Sequence, residues 1–238
     1  MRLSLEGQII AESRRLFATS NLMGHSKQEA VERFCENLDG DFDPATLTTI
    51  AELDQGLSSM ILTLANKTLK NRTQRPVITD LKQAMVRIGA DGCKAALLSY
   101  RFEIISRNYD ETWRVTFNNT LNQSYRAAAL AKTVMVKSKE AELAQQTIMI
   151  TVFYATSIFA KIMACQSLNL QKTAEVMSII KKPDAVLAEL IMIGCKMPQS
   201  IIDMVDGIER EDTEYKQSQV ARRAWQTILG DSTELVLR

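Results

Sequence analysis

His25 is the single histidine in 238 residues, so any mechanism that needs an imidazole must use it. It directly precedes Ser26-Lys27-Gln28-Glu29, which has the spacing of a capping box. In that motif a serine hydroxyl and a glutamate carboxylate satisfy free N–H groups at a helix start. His25 therefore reads as a residue at a helix entry, and nothing around it favours a Ser–His or Cys–His nucleophile. The four cysteines, Cys35, Cys93, Cys165 and Cys195, lie far apart with no C-x-x-C pair. That pattern reads as buried thiols, not as a metal site or a disulfide framework. The chain lacks G-x-G-x-x-G, G-x-x-x-x-G-K-[ST] and G-x-S-x-G, the usual phosphate cradles and nucleophile elbow. Glu209-Arg210-Glu211-Asp212 reads as a solvated helix end. Oxygen-only binding of magnesium stays open in principle, although no Asp/Glu cluster has a suggestive spacing.

Lys67, Lys70, Arg72 and Arg75 fall within nine residues, separated by Asn71, Thr73 and Gln74. Two readings stand: a solvated loop, or a partner- or phosphate-binding patch, since arginine forks match phosphate oxygens. No aromatic residue is interleaved, so a stacking platform for single-stranded nucleic acid is not expected. With 29 Lys plus Arg against 28 Asp plus Glu, the whole chain has no general pull toward nucleic acid or anionic membranes.

The elements that must position these residues are helices. Neither glycine nor proline occurs between Cys93 and Lys182, and no period-two alternation competes with the helical pattern. The fold class read from this is all-α. Helices are expected near 3–19, 26–38, 44–54, 56–70, 79–88, 90–106, 110–136, 139–165, 170–181, 183–194, 198–210 and 212–229. Asp43-Pro44, Thr79 and Ser138 read as N-cap positions, and Pro183 and Pro198 as restarts after short breaks. Trp113 and most methionines, among them Met60, Met85, Met149 and Met192, are expected in the core. The last helix carries Val220, Ala221, Ala224, Trp225 and Ile228 on one face, beside Arg222 and Arg223. That face either closes the core or meets a partner.

Residues 1–238 are read as one domain, with 1–40 as an alternative N-terminal helical cap. Glu6, Glu12, Arg14 and Arg15 interrupt any secretory apolar run, and the most apolar segment, Ile148 to Ala160, is shorter than the roughly 18 residues a span needs. A cytoplasmic location without membrane contact is the expectation.

Residues 56–102 carry a family resemblance. One helix buries Leu57, Met60, Ile61 and Leu64 and ends in Ala65-Asn66-Lys67, with Asn66 suited to local backbone bonds. The loop Pro76-Val77-Ile78-Thr79 leads to Asp80-Leu81, Ala84 and Ile88-Gly89. This order resembles the HDOD domain, a helical relative of the HD-type metal phosphohydrolases, where such a tripeptide leads to an S-L-x-x-A-x-x-x-L-G helix. Asp110-Glu111-Thr112-Trp113 resembles the family's tryptophan-led helix. Leu190 to Ile202 is similar to its L-L-x-x-W-x-L-P-x-x-I segment, with Cys195 at the tryptophan position and Met197 at the leucine. The similarity covers about 50–210, and the order of the motifs is a stronger signal than any one of them.

The resemblance implies that a catalytic His-Asp pair would fall within Thr147–Phe159. Tyr154-Ala155 is the corresponding pair, with Asp184 and Ile208-Glu209 at downstream histidine positions. On this reading the metal ligands are lost, and no cofactor is expected. The implied role is a non-catalytic bacterial signalling module that recognises a kinase, receiver or cyclic-dinucleotide enzyme in trans. The alternatives are a nucleotide phosphohydrolase with a rearranged metal site, and a sensor that holds a nucleotide or other phosphate in the inherited cleft.

Overall fold

The computed structural model describes residues 3–19, 29–38, 42–67, 77–194 and 197–230. These form helices and turns, with no strand among them. α1 (Leu5–Thr19), α2 (Glu29–Leu38), α3 (Pro44–Ala51) and α4 (Gln55–Lys67) come first, and the starts of α3 and α4 follow from local chemistry. Asp43 accepts from the N–H groups of Ala45 and Thr46 at 3.0 and 3.2 Å, with Pro44 at the first helical position, as the sequence leads one to expect. Asp54 does the same for α4, accepting from Gly56 and Leu57 at 2.9 and 3.0 Å. The expected apolar stripe of α4 is the buried one: Leu57, Met60, Ile61 and Leu64 are each at most 6% exposed. Burying each such side chain contributes about 1.5–3 kcal/mol.

α5 (Leu81–Ser106) packs on α4 and is bent at Gly89, whose φ of 69° and ψ of −179° lie outside helical values. The two helices expected on either side of Gly89 thus meet at a kink. The N-cap is Asp80, accepting from the Gln83 N–H at 2.6 Å, and not Thr79. α6 (Glu111–Lys137) starts at Asp110, which accepts from the Trp113 N–H at 3.0 Å. Trp113 is core, at 3% exposure. Ser138, expected to cap a following helix, instead closes α6. Lys139 adopts φ 63°, and the Glu140 N–H reaches back to the Met135 carbonyl at 3.0 Å. This is the bond pattern of a helix terminated by a left-handed residue.

The helix expected over 139–165 is divided. A 3₁₀ turn, Ala141–Leu143, leads into α7 (Ala144–Tyr154), and α8 (Thr156–Ser167) follows a turn at Ala155. The apolar stretch Ala141–Ser167 is long enough to cross a membrane by length and composition, but nearly all of its most apolar 18 residues are buried inside the protein. α7 is the central element, in contact with α5, α6, α11 (Gln199–Asp206) and α12 (Lys216–Leu229). Every residue from Thr147 to Tyr154 is buried. The Thr147 and Thr151 hydroxyls are satisfied within the helix, donating to the carbonyls of Leu143 and Thr147 at 2.7 and 2.5 Å. Phe159 of α8 stacks at a tilt on Phe102 and Phe117, with ring centroids 5.2 and 4.7 Å apart.

α9 (Ala174–Lys181) and α10 (Ala185–Gly194) complete the chain order, and α1 rests on α8, α9 and α10. α12 packs on its own protein: Val220, Ala221, Ala224 and Trp225 are buried against α6 and α7. Cys93 and Cys165 are buried free thiols, as expected, and burial pushes both up to about 12. The side chains of Cys35 and Cys195, and all of His25, lie outside the described residues.

Candidate functional site

Four pieces of chain converge beside the C-terminal end of α7. The turn between α7 and α8 brings Tyr154, Ala155 and Ser157. The 182–184 segment between α9 and α10 crosses above it, the 207–210 turn after α11 closes one side, and α12 forms the opposite wall. Between them lies a cleft of about 700 Å³.

Side chains on the floor tie these pieces together. The Tyr154 hydroxyl donates to Glu209 Oε1 at 2.8 Å, and the same oxygen accepts from the Ala185 N–H at 2.9 Å. Ser157 Oγ accepts from the Asp184 N–H at 3.0 Å. Asp184 in turn caps α10, its Oδ1 accepting from the Leu187 N–H at 2.8 Å. Lys161, 2% exposed, donates from Nζ to the Lys182 carbonyl at 2.7 Å. Glu209 is exposed, as expected of its charged run, yet one of its oxygens is bonded to Tyr154 and Ala185.

α12 is anchored from the other side. Arg222 donates to the carbonyls of Gly207, Ile208 and Arg210, which satisfies three of the four acceptors in the 207–210 turn. Trp225 Nε1 donates to the Thr151 carbonyl at 2.9 Å, and its ring stands edge-on to Tyr154 with centroids 6.3 Å apart.

The electrostatics follow from this burial. Desolvation first, then the Glu209 and Asp184 carboxylates, push the Tyr154 phenol far above its ordinary range, so it stays a neutral donor. Burial pulls the Lys161 ammonium down, opposed by Asp184, Glu6 and Glu209.

Tyr154, Asp184 and Glu209, named separately from the sequence, are therefore brought together, while Ala155 is fully buried and offers only a methyl group. Ser157, Lys161 and Lys182 were not singled out. All three act through backbone carbonyl or N–H groups, which every sequence has. Of the basic patch, Lys70, Arg72, Arg75 and the Lys67 side chain lie outside the described residues.

A divalent metal of the HD type would need several imidazole and carboxylate ligands free to turn toward one point. Here the phenol, Glu209 Oε1 and Asp184 Oδ1 are engaged with one another or with backbone N–H groups, and no imidazole of the described residues stands beside them. Among the described residues no three His, Cys, Asp or Glu side chains converge as a metal site. The residues present do not fit that group.

No family model matches the chain, and no curated protein is detectably similar to it. Two solved structures are similar in fold. One is a Shewanella amazonensis SB2B protein proposed to be a metal-dependent phosphohydrolase, with TM-score 0.64 and 13% identity over 95% of this chain and 86% of that one. The other is an HDOD domain protein of unknown function from Geobacter sulfurreducens, with TM-score 0.50 and 13% identity over 94% and 78%. On these two fold likenesses and its all-helical architecture, this protein has an HDOD-type fold.

Proposed function

We propose that the protein is a non-catalytic regulatory module, which acts in the cytoplasm by recognising a signalling protein in trans. The observation that carries the reading is the Tyr154–Glu209–Ala185 hydrogen-bonded set. On the family resemblance these residues stand where hydrolysis would call for open metal ligands, and here a phenol and one carboxylate oxygen are bonded to each other. A rigid helical scaffold that keeps an ancestral cleft but commits its polar floor to structure is suited to recognition. The partner class, a kinase, receiver or cyclic-dinucleotide enzyme, comes from the family resemblance alone.

Two measurements on the full chain test it. The first is turnover of phosphomonoesters, cyclic nucleotides and cyclic dinucleotides with magnesium, manganese or ferrous ion added. Turnover that Glu209→Gln abolishes would overturn the non-catalytic reading. The second is capture of tagged protein from native lysate, followed by reconstitution with each purified candidate. A saturable one-to-one complex with a signalling enzyme supports the module reading; repeated failure with every signalling candidate counts against it.

A further inference from the structure

Lys181 and Lys182 end α9 side by side, both exposed, on the wall of the 700 Å³ cleft. Arg222 faces the same space from α12. Among the described residues none of the three forms an ion pair with a carboxylate. Two carboxylates share the lining. These are Glu209 and Glu211; both are exposed, and Glu209 has one oxygen committed to Tyr154 and Ala185. The rest of the lining joins an apolar wall, Leu229 with the nearly buried Pro183, Ile208 and Trp225, to the polar side chains of Ser178 and Gln226. The volume lies in the range of cavities that hold small organic ligands.

We infer that this cleft binds an organic phosphomonoester of mononucleotide size without a metal ion. Its dianionic group sits at Lys181 and Lys182, and its ring body lies against the apolar wall. The inference gives the sensor reading a location and a ligand class, and it is independent of the partner reading. Arg222 contributes charge while its N–H groups stay on backbone carbonyls, so the lysines make the direct contacts. Lysine suits this role as a mobile point charge on a long stem. With lysines making the phosphate contacts, no metal ion is needed to bridge the dianion to a carboxylate.

Isothermal titration of the full chain with AMP and GMP tests the assignment, with adenosine and inorganic phosphate as the body without charge and the charge without body. At least one nucleotide should bind saturably at or below millimolar concentration, more tightly than adenosine or phosphate and equally well with EDTA present. Lys181→Glu with Lys182→Glu should weaken binding at least about tenfold, while Glu211→Gln should tighten it. All three positions are exposed, so folding is checked by an unchanged melting temperature. The inference is overturned if neither nucleotide saturates, if adenosine or phosphate binds as tightly, if chelation abolishes binding, or if the double variant binds unchanged. Partner capture is read separately, so the two proposals fail independently.

Discussion

The Asn66 side chain pairs with both backbone groups of Ile78. Its Oδ1 accepts from the Ile78 N–H at 2.8 Å, and its Nδ2 donates to the Ile78 carbonyl at 2.8 Å while also reaching the Leu62 carbonyl at 2.9 Å. One amide thus joins the end of α4 to the approach to α5, as a strand neighbour would. This is the local backbone role read for it from sequence, extended across the loop.

Asn66→Ala should therefore cost about 1–3 kcal/mol, because it strands a half-buried N–H and carbonyl rather than merely losing a contact. For a chain of this size that corresponds to a melting temperature lower by roughly 2–10 °C. Asn66→Asp keeps the acceptor, loses the donor and faces two carbonyls with a carboxylate. It should be at least as damaging as alanine. Thermal melts of both variants decide the point, and an aspartate variant as stable as wild type would refute the bidentate role.

Gly89 offers a test in which the sign alone is decisive. Glycine inside a regular helix is worse than alanine by roughly 0.5–1 kcal/mol, so a continuous α5 would be stabilised by Gly89→Ala. The observed φ of 69° with ψ of −179° is a region nearly exclusive to glycine, and an added Cβ would stand 2.5 Å from Gln145 Oε1. The substitution should destabilise by about 1–3 kcal/mol. A rise in denaturation midpoint would mean that the kink is absent in solution.

The Tyr154–Glu209 bond should be worth about 1–2 kcal/mol, as a hydrogen bond to a carboxylate at a half-covered site. Tyr154→Phe and Glu209→Gln, measured singly and together in urea, should show coupling of roughly 0.5–3 kcal/mol. Additive effects would mean that the floor is not one unit.

How much of this was legible depends on the kind of signal. The α4 stripe and the Asp43 cap were readable because periodicity and capping chemistry are local. The division at Ala155 was not: α7 is buried on all sides, so it shows no polar face, and alanine marks no break. Thr79 misled because Asp80 beside it can do the same job, and Ser138 because it falls at the close of α6. Tyr154, Asp184 and Glu209 could be named through motif order. The Lys161–Lys182 link could not, because its acceptor is a carbonyl placed only by tertiary packing.

Cys93 and Cys165, held near 12 by burial, should carry almost no thiolate at about pH 8, so both access and ionisation retard alkylation. Iodoacetamide labelling with peptide mapping should show both protected in the native protein and modified rapidly in urea. Fast native labelling of either would contradict its burial.

Glu12 gives the pH dependence. Its carboxylate accepts from Arg15 at 2.6 and 2.7 Å and from Ser167 Oγ at 2.6 Å, joining α1 to α8. The Arg15 bond chiefly, then the Ser167 bond, lower it from 4.5 to about 2. The folded value lies below the unfolded one, so the unfolded chain takes up the proton first as pH falls. The stabilisation is complete above the unfolded value of 4.5 and is lost progressively as pH drops through about 2. Urea midpoints measured between about pH 6 and about pH 2 should therefore fall more steeply for wild type than for Glu12→Gln, which has no proton to gain. Parallel curves would show that the α1–α8 link does not report on this carboxylate.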